Sequence, residues 1–342
     1  MAATVRILSI DGGGIRGIIP ALLLQYIEER VGRPIAELFH MIAGTSTGGI
    51  LACALTADTG TGKPHSAGDI VDLYATEGQE IFKKSFWYGF GSLGGMVDEK
   101  YEADELERIL KNYMGDTKLS QVDIDLLLTS YDINTRKPYF FKSWKARGER
   151  LQGDETALQR DFYLRTAARA TSAAPTYFEP AYVKNMAGEG FPLLDGGVFA
   201  NNPAMCALSS ARKLYARSSR FLIVSLGTGE TQREIPYEKA KDWGLLGWAR
   251  PILYILMDGV ADAVDYHLSQ EFLCRDYFRF QTDIGGDPND EEAPNDDMDD
   301  ARPENIRKLE VTARKLIEQE RPNLNRLINQ LKQPLTPRQE LL

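Results

Sequence analysis

Ile42-Ala43-Gly44-Thr45-Ser46-Thr47-Gly48-Gly49 is the stretch on which the reading of this chain turns. Residues 44–48 are an instance of G-x-S-x-G. The largely apolar run Leu38–Ala43 precedes it and reads as a buried strand, and Ile50-Leu51-Ala52-Cys53-Ala54-Leu55 follows, rich in good helix formers. Strand, sharp turn and helix form the context of a nucleophile elbow, in which a serine hydroxyl stands clear of the backbone. Gly44 and Gly48, two positions either side of Ser46, keep strand and helix from colliding. The hydroxyl then lies near the positive end of the following helix. A small-residue turn between a strand and a helix has the same letters, so the rest of the chain has to decide between the two.

Upstream, Val5–Ile10 is a short apolar run that reads as a first strand. It ends at Asp11-Gly12-Gly13-Gly14-Ile15-Arg16-Gly17. Ile18–Arg30 has helical spacing, with Gly32 as its stop. Residues 5–46 therefore read as a βαβ unit. A right-handed crossover places both strand ends on one edge of a parallel sheet, so the glycine turn and the serine turn should sit side by side. Successive backbone N–H groups at a helix N-terminus form a concave site for an oxyanion. Gly12, Gly13 and Gly14 are the candidate donors, and Arg16 either holds the loop open or adds positive charge.

Two nucleotide readings compete. Gly12-x-Gly14-x-x-Gly17 after a strand is also the dinucleotide fingerprint of Rossmann-type proteins, which requires an acid at the end of the second strand. That strand ends in Gly44-Thr45-Ser46, and Glu37 lies at its wrong end. Gly60-Thr61-Gly62-Lys63 hints at a phosphate loop, but Ala57 and Pro64 break the Walker pattern.

A serine needs a base. The chain has 3 histidines. His40 precedes the serine in the same strand, His65 lies in a polar loop and His267 inside an apparent helix. The order Ser46…Asp195…His267 would match a hydrolase triad, but His267 is not on a loop at a strand end. Asp195 is the better partner: it ends the short apolar run Pro192-Leu193-Leu194 and is followed by Gly196 and Gly197. If that strand joins the same sheet, its carboxylate reaches the edge where Ser46 stands. Partial burial would raise its pKa toward that of a working general base. An Asp-Gly turn is the plain alternative.

Elsewhere, helices are expected over Ala67–Lys83 and Ala103–Met114. Strands are expected over Leu126–Ile133, Tyr139–Phe141 and Arg220–Leu226. Thr166–Pro175 reads as a small-residue helix, and Asn201-Asn202-Pro203 opens another. The aromatic-glycine stretch Phe86–Met96 reads either as a flap near a greasy substrate or as a loop docked on the core. Trp243–Trp248 leads into an apolar helical stretch through Leu268, which reads as core, the commoner case for such a stripe, or as a surface that meets lipid. Asp287–Asp300 reads as a solvated acidic loop without EF-hand spacing. Pro303 and Arg321-Pro322 bracket a final helix. There is no internal repeat and no clear linker, so a single domain over 1–342 is expected, with a core of about 4–230 and a helical, acidic-loop part over 231–342.

At 43% hydrophobic and 26% charged, the composition suits a globular chain with a sizeable core. The net charge of −9 argues against a nucleic-acid polymer as partner. Cys53, Cys206 and Cys274 are far apart and odd in number, so a reducing compartment is expected and a cysteine zinc site is not. Met1–Arg6 lacks the features of a signal peptide. No run approaches the roughly 18 apolar residues of a membrane span. A cytoplasmic protein is expected, at most peripheral at the inner membrane.

Taken together, the motifs resemble the patatin-like phospholipase family. The match is D-G-G-G-I-R-G at 11–17, G-T-S-T-G at 44–48, Ala173-Ala174-Pro175-Thr176-Tyr177-Phe178, D-G-G at 195–197, Ser-Leu-Gly-Thr-Gly at 225–229 and the 243–248 stretch. The resemblance implies a three-layer α/β/α fold with a central, mostly parallel sheet. It implies a Ser46–Asp195 dyad without histidine, an oxyanion held by Gly12, Gly13 and Gly14, and an acyl-enzyme on Ser46. It implies a membrane phospholipid substrate and no metal or other cofactor. Without a signal peptide or disulfide framework, the chain is expected to be a bacterial member. Some similar bacterial members are antiphage effectors switched on by cyclic oligonucleotides, so a cyclic-nucleotide activator is a live alternative by analogy.

Overall fold

The computed structural model describes residues 4–81, 100–218, 220–231, 234–248, 251–270, 276–285 and 292–342. In chain order its strands are β1 (Thr4–Ile10), β2 (Met41–Gly44), β3 (Asp125–Asp132), β4 (Lys137–Lys142), β5 (Ala181–Lys184), β6 (Gly190–Asp195), β7 (Arg220–Leu226), β8 (Glu230–Thr231), β9 (Asp276–Phe280) and β10 (Asp283–Ile284). The main sheet has the order β5-β6-β3-β2-β1-β7-β9, with β4 also paired to β3. Its centre, β3-β2-β1-β7-β9, is parallel. β4, β5 and β6 make it antiparallel at one side. β8 and β10 form a separate parallel pair.

Parallel strands covered on both faces are apolar along their whole length, and β1 and β2 show why. Val5, Ile7, Met41 and Ala43 pack on one face with the helix Ala204–Leu214. Leu8, Ile10 and Ile42 pack on the other with the helices Ile18–Val31, Ala67–Ile81, Lys100–Met114 and Pro303–Gln319. Two cores on opposite faces of one sheet make three layers, α/β/α. The βαβ unit stands as expected: Ile7 pairs with Met41 and Ile10 with Gly44. Its helix ends at Gly32, which takes the left-handed conformation (φ 76°) and donates its N–H to Glu28.

Several expectations need correction. β2 begins at Met41 rather than Leu38, because Ile35–Glu37 coils into a 3-10 turn that brings the chain under the sheet. The small-residue helix is Leu164–Thr171 and stops short of Pro175. The helix bracketed by Pro303 and Arg321-Pro322 forms as Pro303–Gln319 but is not the final one, since Arg321–Leu331 and the short Arg338–Leu341 follow it. The acidic segment is not simply solvated: Asp296, Met298 and Asp300 are buried. Asp300 pairs with Arg302 at 2.5 Å, and Asn305 accepts the Asn295 N–H at 2.7 Å. Local caps thus satisfy the polar groups that composition assigned to water.

The helix Pro251–Ser269 splits its duties. Ala261 and Leu268 seat its second half, while Ile252, Ile255 and Leu256 are 39%, 41% and 46% exposed. No helix among the described residues is long and apolar enough to cross a membrane. The expected flap 86–96, Cys274 and the start of the acidic loop at 287–291 lie outside the described residues.

Candidate active site

Ser46 sits between β2 and the helix Thr47–Ala54 with φ 55° and ψ −125°. That is a strained conformation for any residue but glycine. The flanking glycines make it feasible. A Cβ on Gly44 would lie 2.3 Å from the Gly48 carbonyl oxygen, and one on Gly48 2.2 Å from that of Ile10. Strand and helix are therefore in backbone contact at the turn. The Ser46 N–H, turned out of both elements, donates to Thr171 Oγ1 at 3.0 Å.

Asp195 arrives by a strand running the opposite way. Gly44 pairs with Leu128 on β3, and two residues further along β3 Ser130 pairs with Asp195. Ser46 lies two residues beyond Gly44, at that same level. Because β6 overlaps only the last residues of β3, an antiparallel strand still ends on the edge where the serine stands. The Asp195 N–H donates to the Ala173 carbonyl at 2.9 Å. Its Oδ1 accepts the Gly197 N–H at 2.6 Å, and its buried Oδ2 has no hydrogen-bond partner among the described residues.

Burial pushes the Asp195 carboxyl up to about 7, against the opposing pull of the Ser46 hydroxyl and the Gly197 N–H. Ser46 and Asp195 line the same cavity, and the Ser46 hydroxyl favours the ionised carboxyl. Gly196 cannot carry a side chain, since a Cβ there would fall 2.0 Å from Thr129 Oγ1.

The glycine loop is pinned from behind. The Gly12 carbonyl accepts the Thr228 hydroxyl at 2.7 Å. The Gly13 carbonyl accepts from the Arg16 N–H at 3.2 Å and from Arg16 Nε at 3.3 Å. In a planar trans peptide the N–H points opposite the C=O. Fixing these two carbonyls therefore fixes the N–H groups of Gly13 and Gly14, which have no partner among the described residues. Gly12 departs from the three-amide expectation, because its own N–H is spent on the Asn201 carbonyl at 3.1 Å. Its contribution is close approach: a Cβ there would lie 2.4 Å from Asn201 Oδ1 and 3.1 Å from the Ser46 Cβ.

Gly14 has φ 59°, with the Met298 carbonyl where a Cβ would go. Gly17 leaves room for the Thr47–Tyr74 hydroxyl pair. Arg16 is buried and also donates to the Asp296 carbonyl at 3.4 Å, so it braces the loop. Asp11 is anchored below by Arg279 at 2.7 Å.

A cavity opens over these groups. It is lined by Ser46 and Asp195, and around them by apolar side chains from separate parts of the chain, including Ile50, Leu106, Phe178, Leu253 and Met257. Tyr177 and Tyr254 join across it by a hydroxyl contact of 2.8 Å. No histidine lines it. His40 bonds to Thr336, His65 to Tyr113, and His267 is exposed beside Tyr266. Among the described residues no cluster of His, Cys, Asp or Glu is placed to hold a metal. A buried carboxyl near neutrality, a hydroxyl lining the same apolar pocket and two backbone N–H groups without a partner among the described residues are groups that can together carry out acyl transfer from an ester of an apolar acid.

The sequence assigned no role to Thr171, Thr228, Asn201 and Met298. Thr228 lies inside the 225–229 motif, Thr171 and Asn201 in stretches read only as helix or helix start, and Met298 in the acidic segment, so only tertiary contact marks them out.

Residues 8–208 match the family model described as Patatin-like phospholipase. Patatin-like protein 2 of Arabidopsis thaliana is 34% identical over 317 residues, covering 82% of this chain and 76% of that protein. Patatin-like protein 1 of the same plant is 34% identical over 303 residues, 78% of this chain and 71% of the relative. A Solanum tuberosum relative named Probable inactive patatin-3-Kuras 1 is 32% identical over 308 residues, covering 81% and 78%.

Proposed function

This chain belongs to the patatin-like phospholipase family, and with it to the lipid acyl hydrolases in general; we propose that Ser46 and Asp195 carry that activity as a two-residue dyad. The observation that carries the reading is the buried carboxyl of Asp195, raised to about 7 in the cavity it shares with Ser46, a cavity that no histidine lines.

Ser46 Oγ attacks the acyl carbonyl while Asp195 takes its proton. The oxyanion that forms is held by the N–H groups of Gly13 and Gly14. Collapse expels the alcohol, which takes the proton back from Asp195 and leaves an ester on Ser46. Water then attacks that ester, giving its proton to Asp195, and the fatty acid leaves as Ser46 is restored. Two aligned amides at an oxyanion are a large part of such a barrier, since one donor is typically worth about 10²–10³ in rate.

The substrate this pocket fits is a membrane phospholipid, and contact with the membrane is peripheral. Ile252, Ile255 and Leu256 are exposed on the helix whose Leu253, Leu256 and Met257 line the cavity, so an apolar surface is continuous with the acyl pocket.

The test is release of fatty acid from phospholipid vesicles, paired with labelling by a fluorophosphonate probe. Ser46→Ala should abolish both. Asp195→Ala should abolish release with the fold intact. If Asp195→Ala stays active while His267→Ala is dead, the dyad is wrong. An unlabelled wild-type protein would make the chain a lipid-binding scaffold instead. Running the assay with and without cyclic oligonucleotides separates a constitutive enzyme from a gated one.

A further inference from the structure

We infer that Thr171 is the positioning residue of the Ser46–Asp195 pair, an inference that rests on the dyad reading above. It begins from the backbone of the nucleophile. With φ 55° and ψ −125°, Ser46 cannot place its N–H in the β2 ladder or in the helix that follows. Left unpaired in this buried turn, that N–H would carry the desolvation cost of a buried donor without an acceptor. Thr171 Oγ1 accepts it at 3.0 Å and sends its own proton to the Thr129 carbonyl of β3 at 2.6 Å. The hydroxyl thus has a fixed sense: its proton is committed to the sheet and its lone pair to the strained turn. Thr171 is fully buried.

The same short stretch holds the base. The Thr171 carbonyl accepts the Gly196 N–H at 3.4 Å, and two residues on the Ala173 carbonyl accepts the Asp195 N–H at 2.9 Å. Nucleophile and base come from different strands, and residues 171–173 tie both to one frame. Gly49, which lies outside the G-x-S-x-G pattern, fits this arrangement. A Cβ there would fall 2.5 Å from Thr171 Cγ2, so the helix after Ser46 can approach Thr171 only with glycine at 49.

Hydroxyl and methyl are separable. Thr171→Val keeps the shape and removes the hydrogen bonds, whereas Thr171→Ser keeps the bonds and removes the methyl. With a monomeric p-nitrophenyl butyrate substrate, Thr171→Val should lower kcat by about 10²-fold, the scale of a small misplacement of reacting groups, with KM held within about twofold. Fluorophosphonate labelling should slow in parallel. Thr171→Ser should stay within about threefold of wild type. Wild-type kcat and labelling in Thr171→Val, or an equal loss in Thr171→Ser, would overturn the inference.

If Thr171→Val does not fold, Gly49→Ala takes its place. It displaces the Thr171 side chain and should lower kcat, and adding Thr171→Ser, which removes the methyl it strikes, should restore it. Failure to restore would also overturn the inference. Ser46→Ala separates the two levels of argument. If that variant is still labelled, the dyad reading falls. If it is dead while Thr171→Val is fully active, only the role of Thr171 falls.

Discussion

The hydroxyl of Thr228 donates to the carbonyl oxygen of Gly12 at 2.7 Å. One peptide plane is fixed by this contact, and with it the direction of the Gly13 N–H. Thr228→Val should free that plane and lower kcat by about tenfold with little change in KM, less than deleting a donor outright. Thr228→Ser should retain most activity. Steady-state kinetics on a monomeric ester read both.

The pH dependence follows from Asp195. As the base it must be ionised, so kcat/KM should rise through about pH 7 and level off above it. Stability runs the other way. The folded carboxyl binds its proton more tightly than the unfolded one, so stability falls as pH rises from about 4 to about 7 and is flat beyond. The loss is at most about 4 kcal/mol for a shift of this size. Asp195→Asn should lack activity and lose less stability than wild type between pH 4 and pH 8, measured by denaturant unfolding. An equal loss in both would mean that Asp195 titrates normally.

Gly44→Ala and Gly48→Ala should both destabilise the protein, because their Cβ atoms would fall 2.3 Å and 2.2 Å from backbone oxygens rather than from side chains that can move aside. A loss of about 1–3 kcal/mol or more is expected for such overpacking, with activity falling as the elbow shifts. Gly60→Ala, in open space on the 59–62 loop, is the control for a positive-φ glycine without a neighbour. It should cost only about 1 kcal/mol and spare activity.

The exposed face of the helix Pro251–Ser269 gives a prediction that distinguishes surface from site. Ile252→Asp with Ile255→Asp should reduce hydrolysis of phospholipid vesicles by about tenfold or more, while hydrolysis of a monomeric short-chain ester changes little. Equal loss on both substrates would place these residues in the fold rather than at a lipid surface. Vesicle co-sedimentation gives an independent reading.

Much of this was legible before any coordinates. The βαβ unit was visible because glycine stops and apolar runs are local signals, and the parallel pairing followed from crossover handedness alone. The proposal of Ser46 and Asp195 came from the same kind of signal: each stands at the end of an apolar run, beside glycines. The errors were of another kind. Met298 and Asp296 sit in a segment whose composition suggests solvent, and only its docking on Ile15 and Arg16 buries it. Gly12 looked like a third amide donor because residue type carries no information about which N–H is already spent. For the apolar half of the helix Pro251–Ser269 core and lipid-facing surface both stayed open, because periodicity reports an apolar face without reporting what covers it.

By itself the sequence determined the strand–turn–helix around Ser46 and the βαβ unit that carries the glycine loop, and it named Ser46 and Asp195 as the candidates proposed for the chemistry. These depend on local backbone preference and on residue type, which are written position by position. Only the tertiary structure decided that β6 runs antiparallel yet ends level with Ser46, that Thr171 holds the strained turn, and that Thr228 and Arg16 aim the amides. Those are contacts between segments distant along the chain. They exist once burial has removed water as the competing partner, which no local pattern encodes.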